Sequence, residues 1–71
     1  MQAELHGGPF DGQTRFVPAP SRLLVLPVNR AIVDEEEVRR LGPAGTGYTA
    51  VYEQDGGEDS TNYRFLEFRS R

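Results

Sequence analysis

Short apolar segments separated by glycine and proline make up most of the chain, and only one segment has helical spacing. The strand-length segments lie at 2–6, 13–17, 22–26, 48–52 and 61–68. The first two flank the turn dipeptide Asp11-Gly12 and therefore predict a β-hairpin. The last two flank an acidic, glycine-rich turn, and they predict a second hairpin.

The segment from Arg22 to Leu26 differs from the others because its apolar residues are continuous and do not alternate with polar ones. This pattern predicts a strand that is buried on both faces. Pro27 follows it and either ends the strand or marks an edge position, because proline cannot donate a ladder hydrogen bond.

One short helix is indicated by its termini. Asp34 is a candidate N-cap, and Glu37 follows it at the spacing of a capping box. Val33 and Val38 have the spacing of a hydrophobic staple, and Gly42 suits the C-terminal cap. Because two helical turns are unstable alone in water, we expect the apolar side of this helix to pack on a sheet.

These elements predict one small α+β domain over residues 1–71. It contains four to five mostly antiparallel strands, with one short helix packed on the sheet. The predicted core consists of Leu5, Phe16, Leu24, Leu26, Ile32, Val38, Leu41, Val51, Phe65 and Leu66.

The composition of the chain argues against several classes of function. The net charge is −3, which argues against nucleic-acid binding, because such binding depends on basic side chains at phosphates. No cysteine is present, so disulfides, thiolate metal sites and cysteine nucleophiles are excluded. The longest apolar run is far below the ~20 residues of a membrane span, and the N-terminus has no signal-peptide pattern. We expect a cytoplasmic protein with no cofactor, membrane partner or small-molecule substrate.

The densest group of special residues is a turn motif formed by Gly7, Gly8, Pro9, Asp11 and Gly12. Glycine permits positive φ and proline fixes φ near −65°, so turn formation is the preferred interpretation. The alternative is a phosphate-binding loop. That alternative requires a helix N-terminus directly after the loop, where this sequence predicts a strand.

Three further groups of residues are candidates for catalysis or metal binding. His6 is the only histidine, and Glu4 and Asp11 lie near it in sequence, but no nucleophile pattern accompanies it. The acidic run 34–37 is explained by helix capping, and its side chains diverge around a helix. The acidic run 55–59 lacks the ligand spacing of a calcium loop. We therefore predict no metal site.

Aromatic residues and arginines alternate near the C-terminus, a pattern that suits core packing, a protein interface or base stacking. Tyr, Phe and Arg are typical interface residues, and they outnumber what one small core hides. We therefore predict an exposed aromatic patch on one sheet face or edge. The candidate binding residues are Tyr48, Tyr52, Tyr63, Arg64, Phe68 and Arg69.

The turn motif and the Tyr-rich C-terminal strand together resemble segments of a known group of proteins. Over residues 5–18 and 61–68, the chain resembles small uncharacterised proteins of actinobacteria and their bacteriophages, which open with Gly-Gly-Pro-x-Asp-Gly. The resemblance implies a small phage-type accessory protein. It transfers no functional residues and no mechanism.

These observations favour a non-enzymatic protein-binding module, such as a phage-encoded modulator of a host protein acting in the host cytoplasm. The partner is expected to be a host protein or the chain itself. One alternative is a small virion or structural component that self-associates. A third hypothesis is a small hydrolase that uses His6 with Asp11 or Glu4, which requires the imidazole within ~3 Å of a carboxylate.

Overall fold

The structure is a computed structural model, and it describes residues 1–19, 21–42 and 47–70. Five strands and one α-helix are present in these ranges, together with two short 3-10 turns. The elements are β1 (Gln2–His6), β2 (Thr14–Phe16), β3 (Leu23–Val28), α1 (Glu35–Leu41), β4 (Tyr48–Gln54) and β5 (Asn62–Ser70).

The strands form a single five-stranded sheet in the order β2-β1-β5-β4-β3, which confirms the predicted α+β class. Both predicted hairpins are present, because β1 pairs antiparallel with β2 and β4 pairs antiparallel with β5. The sheet is mixed, however, since β1 and β5 run parallel, with Leu5 opposite Tyr63. This parallel pairing joins the N-terminal hairpin to the C-terminal strand.

The main core lies on one face of the sheet, called here the inner face. Its fully buried members share this face because side chains alternate along each strand. Partly buried apolar residues from the strand ends and from the 3-10 turn Gly8–Phe10 pack around them. The inner-face core residues with no exposed surface are Ala3, Leu5, Ala50, Tyr52 and Tyr63.

A β-bulge between β4 and β5 changes which side chains of β5 share a face. Val51 pairs with Glu67, but the next residue of β4, Tyr52, pairs with Phe65, so Leu66 is the extra residue. Phe65 and Phe68 therefore point to the same face, with ring centroids 5.0 Å apart. The expectation from simple alternation, that Phe68 faces away from Phe65, is wrong because alternation is interrupted at the bulge.

The caps of α1 are the predicted residues, Asp34 and Gly42. The carboxylate of Asp34 accepts a hydrogen bond of 3.0 Å from the backbone N–H of Glu36, which satisfies one unpaired donor of the first turn. Gly42 ends the helix with a φ of 79°, which a residue with a Cβ adopts only with strain. On the helix surface, Arg40 pairs with Glu37.

The helix lies on the face of the sheet opposite the core, called here the outer face. Glu67 and Val51 are paired and point to this face, and the charge of Glu67 helps to raise the pKa of Arg40, after the larger effects of Glu37. The hydroxyl of Tyr48 donates to the carbonyl of Gly42 at 3.0 Å, which ties the end of α1 to β4. Val51 is fully buried, so both faces of β4 are covered.

The predicted core is partly wrong. Leu5 and Val51 are fully buried, and the partly buried Leu24, Leu26 and Phe65 pack against the inner-face core. Val38 and Leu41 are half-buried on α1. Three predicted core residues are exposed: Phe16 (71%), Ile32 (51%) and Leu66 (42%).

Each exposed residue has a local cause. Phe16 pairs with Gln2 at the edge of the sheet and points to the outer face, where the neighbouring β1 side chains are also exposed. Ile32 ends a 3-10 turn, and the adjacent Val33 takes the buried position. Leu66 is the extra residue of the bulge.

Candidate functional site

The turn motif closes on itself through its own polar groups. Gly7 and Gly8 have φ values of 82° and 66°, and Pro9 lies in the first turn of the 3-10 segment. The carboxylate of Asp11 accepts a hydrogen bond of 2.7 Å from the backbone N–H of Gly7. Gly12 donates to the carbonyl of Leu5 at 2.8 Å. These contacts account for the motif as a turn.

The side chain of Tyr52, on β4, fills the inside of this turn. Its hydroxyl donates to the carbonyl oxygen of Gly7 at 2.6 Å and accepts from the backbone N–H of Phe10 at 3.0 Å. Burial of the ring raises the pKa of Tyr52, an effect that outweighs the hydrogen bond from Phe10. The backbone N–H groups of Gly7, Phe10, Asp11 and Gly12, which a bound anion would need, are therefore already bonded within the protein.

Gly8 also has a packing role that the sequence alone did not indicate. A Cβ at this position would lie 2.5 Å from the ring atoms Cγ and Cδ1 of Phe65 and 2.9 Å from its Cβ. The ring of Phe65 therefore occupies the space of the missing side chain. No local sequence signal joins these two residues, because they meet only through the pairing of β1 with β5.

The three tyrosines proposed to bind a partner do not present an exposed patch. Tyr48, Tyr52 and Tyr63 are all buried. The hydroxyl of Tyr63 donates to the carbonyl of Ser21 at 2.5 Å and lies 3.4 Å from its backbone N–H. The expected exposure is wrong because each hydroxyl donates to a backbone carbonyl, which allows the ring to be buried without an unpaired polar atom.

The other candidate binding residues lie on β5. Phe68 is half-buried against the core. Arg64 is paired with Glu53 at 2.7 Å, and Arg69 with Glu67 at 2.6 Å. These pairs are exposed, so they are worth little to stability. The structure does not bring the six candidates together as one surface, and a binding role for the two arginines stays a prediction.

His6 lies on the exposed outer face of β1. Its Nε2 is 3.1 Å from the side-chain oxygen of Asn62, which is an amide and not a carboxylate. Asp11 instead accepts from Gly7. The arrangement expected for the hydrolase hypothesis, an imidazole oriented by a carboxylate, does not occur in the hydrogen bonds of His6.

A polar cleft of about 650 Å³ opens where the β2–β3 connection meets the β4–β5 turn. Two of its polar side chains have structural partners. Ser21 Oγ donates to the carbonyl of Leu23 at 2.8 Å. Gln54 Nε2 donates to the carbonyls of Glu58 and Ser60, both at 2.9 Å. The cleft is lined by Ser21, Arg22, Gln54, Gly57, Glu58 and Asp59.

The free edge of β3 is the most unusual surface of the described chain. Leu23 and Val25 are 38% and 55% exposed, although a strand buried on both faces was predicted. The prediction is wrong because β3 is the last strand of the sheet and its outer face is uncovered. Pro27 is an edge proline, the second of the two interpretations that the sequence left open.

The ladder with β4 fixes which backbone groups of β3 face outward. The backbone N–H of Gln54 donates to the backbone carbonyl of Arg22 at 2.8 Å, so these two residues form a hydrogen-bonded pair of the ladder. Such pairs recur at every second residue of an antiparallel ladder. Leu23, Val25 and Pro27 therefore direct their backbone groups away from the sheet. Pro27 has no N–H to direct there.

Among residues 1–19, 21–42 and 47–70, no group of acidic or histidine side chains could hold a metal ion. In the same ranges, no helix is long and apolar enough to cross a membrane. The chain matches no protein-family model, no curated protein and no solved structure. Any functional assignment therefore has to come from the residues and their geometry.

Proposed function

We propose that this protein is a non-enzymatic protein-binding module whose recognition site is the free edge of β3. One observation carries the proposal: six consecutive residues, Leu23–Val28, form an edge strand that contains no charged side chain. Edge strands are normally protected by charges, by covering segments or by shortness, because their free backbone groups pair readily with another chain. Here only Pro27 provides such protection.

The opposite edge of the sheet supports this choice by contrast. β2 has only three residues, and the guanidinium of Arg15 donates to the carbonyl of Thr14 at 2.9 Å. One of its outward backbone groups is therefore occupied. Phe16 is exposed there, but the strand is too short to guide an added strand. β3, in contrast, is long enough for strand addition, and it offers free backbone donors together with apolar side chains.

Strand addition at β3 would also extend the core. Leu24, Leu26 and Val28 point to the inner face. They are only partly buried, because no strand lies next to β3 on its free edge. A partner strand would place its own side chains beside them and remove more apolar surface from water. Backbone hydrogen bonds would give affinity, and these side chains would give specificity.

The wider role is proposed on the likeness of the turn motif to phage-type proteins. The module would be a phage-encoded accessory protein that acts on a host protein in the host cytoplasm. A second candidate is a structural component that self-associates, which the β3 edge favours equally, because an uncharged edge strand pairs with any chain of suitable pattern.

The test is a pull-down experiment with two tagged forms of the protein as baits, called here the paired-bait test. The tagged protein and its Val25→Lys variant are incubated with host lysate, and we expect proteins retained by the first to be lost from the second, because a charge at the edge opposes strand addition. Thr14→Lys on β2 is the matched control and should retain them. Equal retention by both β3 forms would contradict recognition of a host protein at this edge.

A further inference from the structure

We propose that the partner at the β3 edge is a second copy of this chain, paired antiparallel with Val25 opposite Val25 of the copy. The inference rests on the proposed function and names the partner for the same site. The backbone groups of β3 are complementary to themselves in this register. The two sheets would join into a continuous sheet across a two-fold axis through the Val25 pair.

The hydrogen bonds of this register use every outward donor. Val25 of each copy donates its N–H to the carbonyl of the other Val25, as in any hydrogen-bonded antiparallel pair. Leu23 lies opposite Pro27 of the second copy and donates its N–H to that carbonyl. The two-fold axis repeats this bond at the other end of the strand pair.

The proline creates one mismatch, and the fold already resolves it. Pro27 has no N–H, so it cannot donate to the carbonyl of Leu23 that lies opposite it in the second copy. That carbonyl already accepts a hydrogen bond of 2.8 Å from Ser21 Oγ. Each outward backbone group from Leu23 to Pro27 is therefore satisfied. A donor from the same chain occupies the one acceptor that the partner cannot reach.

The side chains are compatible with the same register. Val25 meets Val25 on the outer face, and Leu24 meets Leu26 on the inner face. The nearest arginine, Arg22, lies opposite Val28, so no like charges face each other directly. The strand pair therefore places no like charges opposite each other.

A neighbouring register is less favourable. If the strands shift by two residues, Leu23 lies opposite Val25, and the overlap of outward groups shortens. Pro27 then lies opposite Ser21, whose N–H is directed to the hydroxyl of Tyr63 at 3.4 Å. The carbonyl of Pro27 is left without a partner from the added strand. The Val25-centred register is therefore the one in which the longest stretch pairs.

The dimer should be weak. A single strand pair buries less than the ~1,200–2,000 Å² of a standard stable interface. We therefore expect a monomer–dimer equilibrium that shifts with concentration, and sedimentation velocity from about 1 µM to 1 mM should resolve it. A closed two-fold pair also predicts that no species larger than a dimer accumulates, because pairing consumes the edge.

Cysteine trapping tests the register. The chain has no cysteine, so Val25→Cys introduces a single thiol. Opposed hydrogen-bonded residues have Cα atoms about 5.5 Å apart, within the roughly 4.4–6.8 Å range of a disulfide. We expect rapid formation of a covalent dimer on mild oxidation. Leu23→Cys is the matched control on the same face of the same strand, and its two copies would lie more than about 13 Å apart.

Two outcomes would overturn the inference: a monomer at all concentrations, or trapping of Leu23→Cys as fast as Val25→Cys. A third variant, Val25→Pro, removes the central donor and should abolish the dimer while circular dichroism shows an unchanged fold, because this N–H faces away from β4. If the purified protein stays monomeric but Val25→Lys still loses host proteins in the paired-bait test, only the inference fails. If neither assay responds to Val25, the proposed function fails as well.

Discussion

The hydroxyl of Tyr52 donates a hydrogen bond of 2.6 Å to the carbonyl oxygen of Gly7, 45 positions earlier in the chain. This contact joins β4 to the turn motif across the intervening strand β5. The ring also packs against Phe65 edge to face, with centroids 5.5 Å apart. Tyr52 thus holds the N-terminal turn by hydrogen bonds and packs within the core by its ring, which explains why it is buried although its side chain is polar.

The first prediction concerns this hydroxyl. Tyr52→Phe keeps the ring but leaves the carbonyl of Gly7 and the N–H of Phe10 without their partner, so we expect a loss of about 1–3 kcal/mol in the free energy of unfolding. Urea denaturation measures it. Tyr48→Phe is the control and should cost less, since Tyr48 bonds only the carbonyl of Gly42. Equal losses would contradict a special role for Tyr52.

The second prediction is a pH dependence. Because burial raises the pKa of Tyr52 above its ordinary value of 10.0, the folded protein holds this proton more tightly than the unfolded chain. The resulting stability is fully present below pH ~10 and is lost as the pH rises through the folded pKa. Urea midpoints measured upward from pH 9 should fall, and the fall should be smaller in Tyr52→Phe. An identical slope in both proteins would refute the assignment.

The third prediction separates packing from backbone strain at two glycines. Gly8→Ala places a Cβ against the ring of Phe65 at a φ of 66°, so overpacking adds about 1–3 kcal/mol to the cost of left-handed backbone. Gly12 has a similar φ of 81°, but nothing lies within 4 Å of its added Cβ. Gly12→Ala should therefore show the backbone cost of about 1–2 kcal/mol alone. Thermal unfolding of both variants measures the difference.

The fourth prediction follows from the corrected core. Phe16 is largely exposed, so Phe16→Ala should change the free energy of unfolding by no more than about 0.5 kcal/mol. Leu5 has no exposed surface, and Leu5→Ala should cost about 2–5 kcal/mol. Denaturant titration of the two variants gives the comparison. A large loss at Phe16 would show that this ring is covered in solution, for example by another chain.

The features that the sequence predicted well depend on local chemistry. The N-cap at Asp34, the C-terminal cap at Gly42 and the two hairpins each require contacts between residues that are close along the chain. Such contacts are set by side-chain hydrogen bonds and permitted φ values, which a short window of sequence contains. The α+β class follows from the same elements.

The features that failed depend on sheet order, which a short window does not contain. The apolar residues Leu23 and Val25 were expected to be buried, but they lie on the last strand of the sheet. Simple alternation along β5 would place Phe68 on the face opposite Phe65, but one bulge residue shifts the alternation. The burial of Tyr52 and Tyr63 was missed for a similar reason: their hydroxyls bond to backbone groups 45 and 42 positions away, which no local pattern reveals.

The parallel pairing of β1 with β5 has a consequence for biosynthesis. His6 and Asn62 lie side by side although 56 positions separate them, so the ribosome has to add these residues before the first strand meets its central neighbour β5. Until then, the N-terminal hairpin has only its own weak ladder. The nascent chain should therefore remain sensitive to proteases until β5 has left the ribosome, and it should acquire resistance in a single late step.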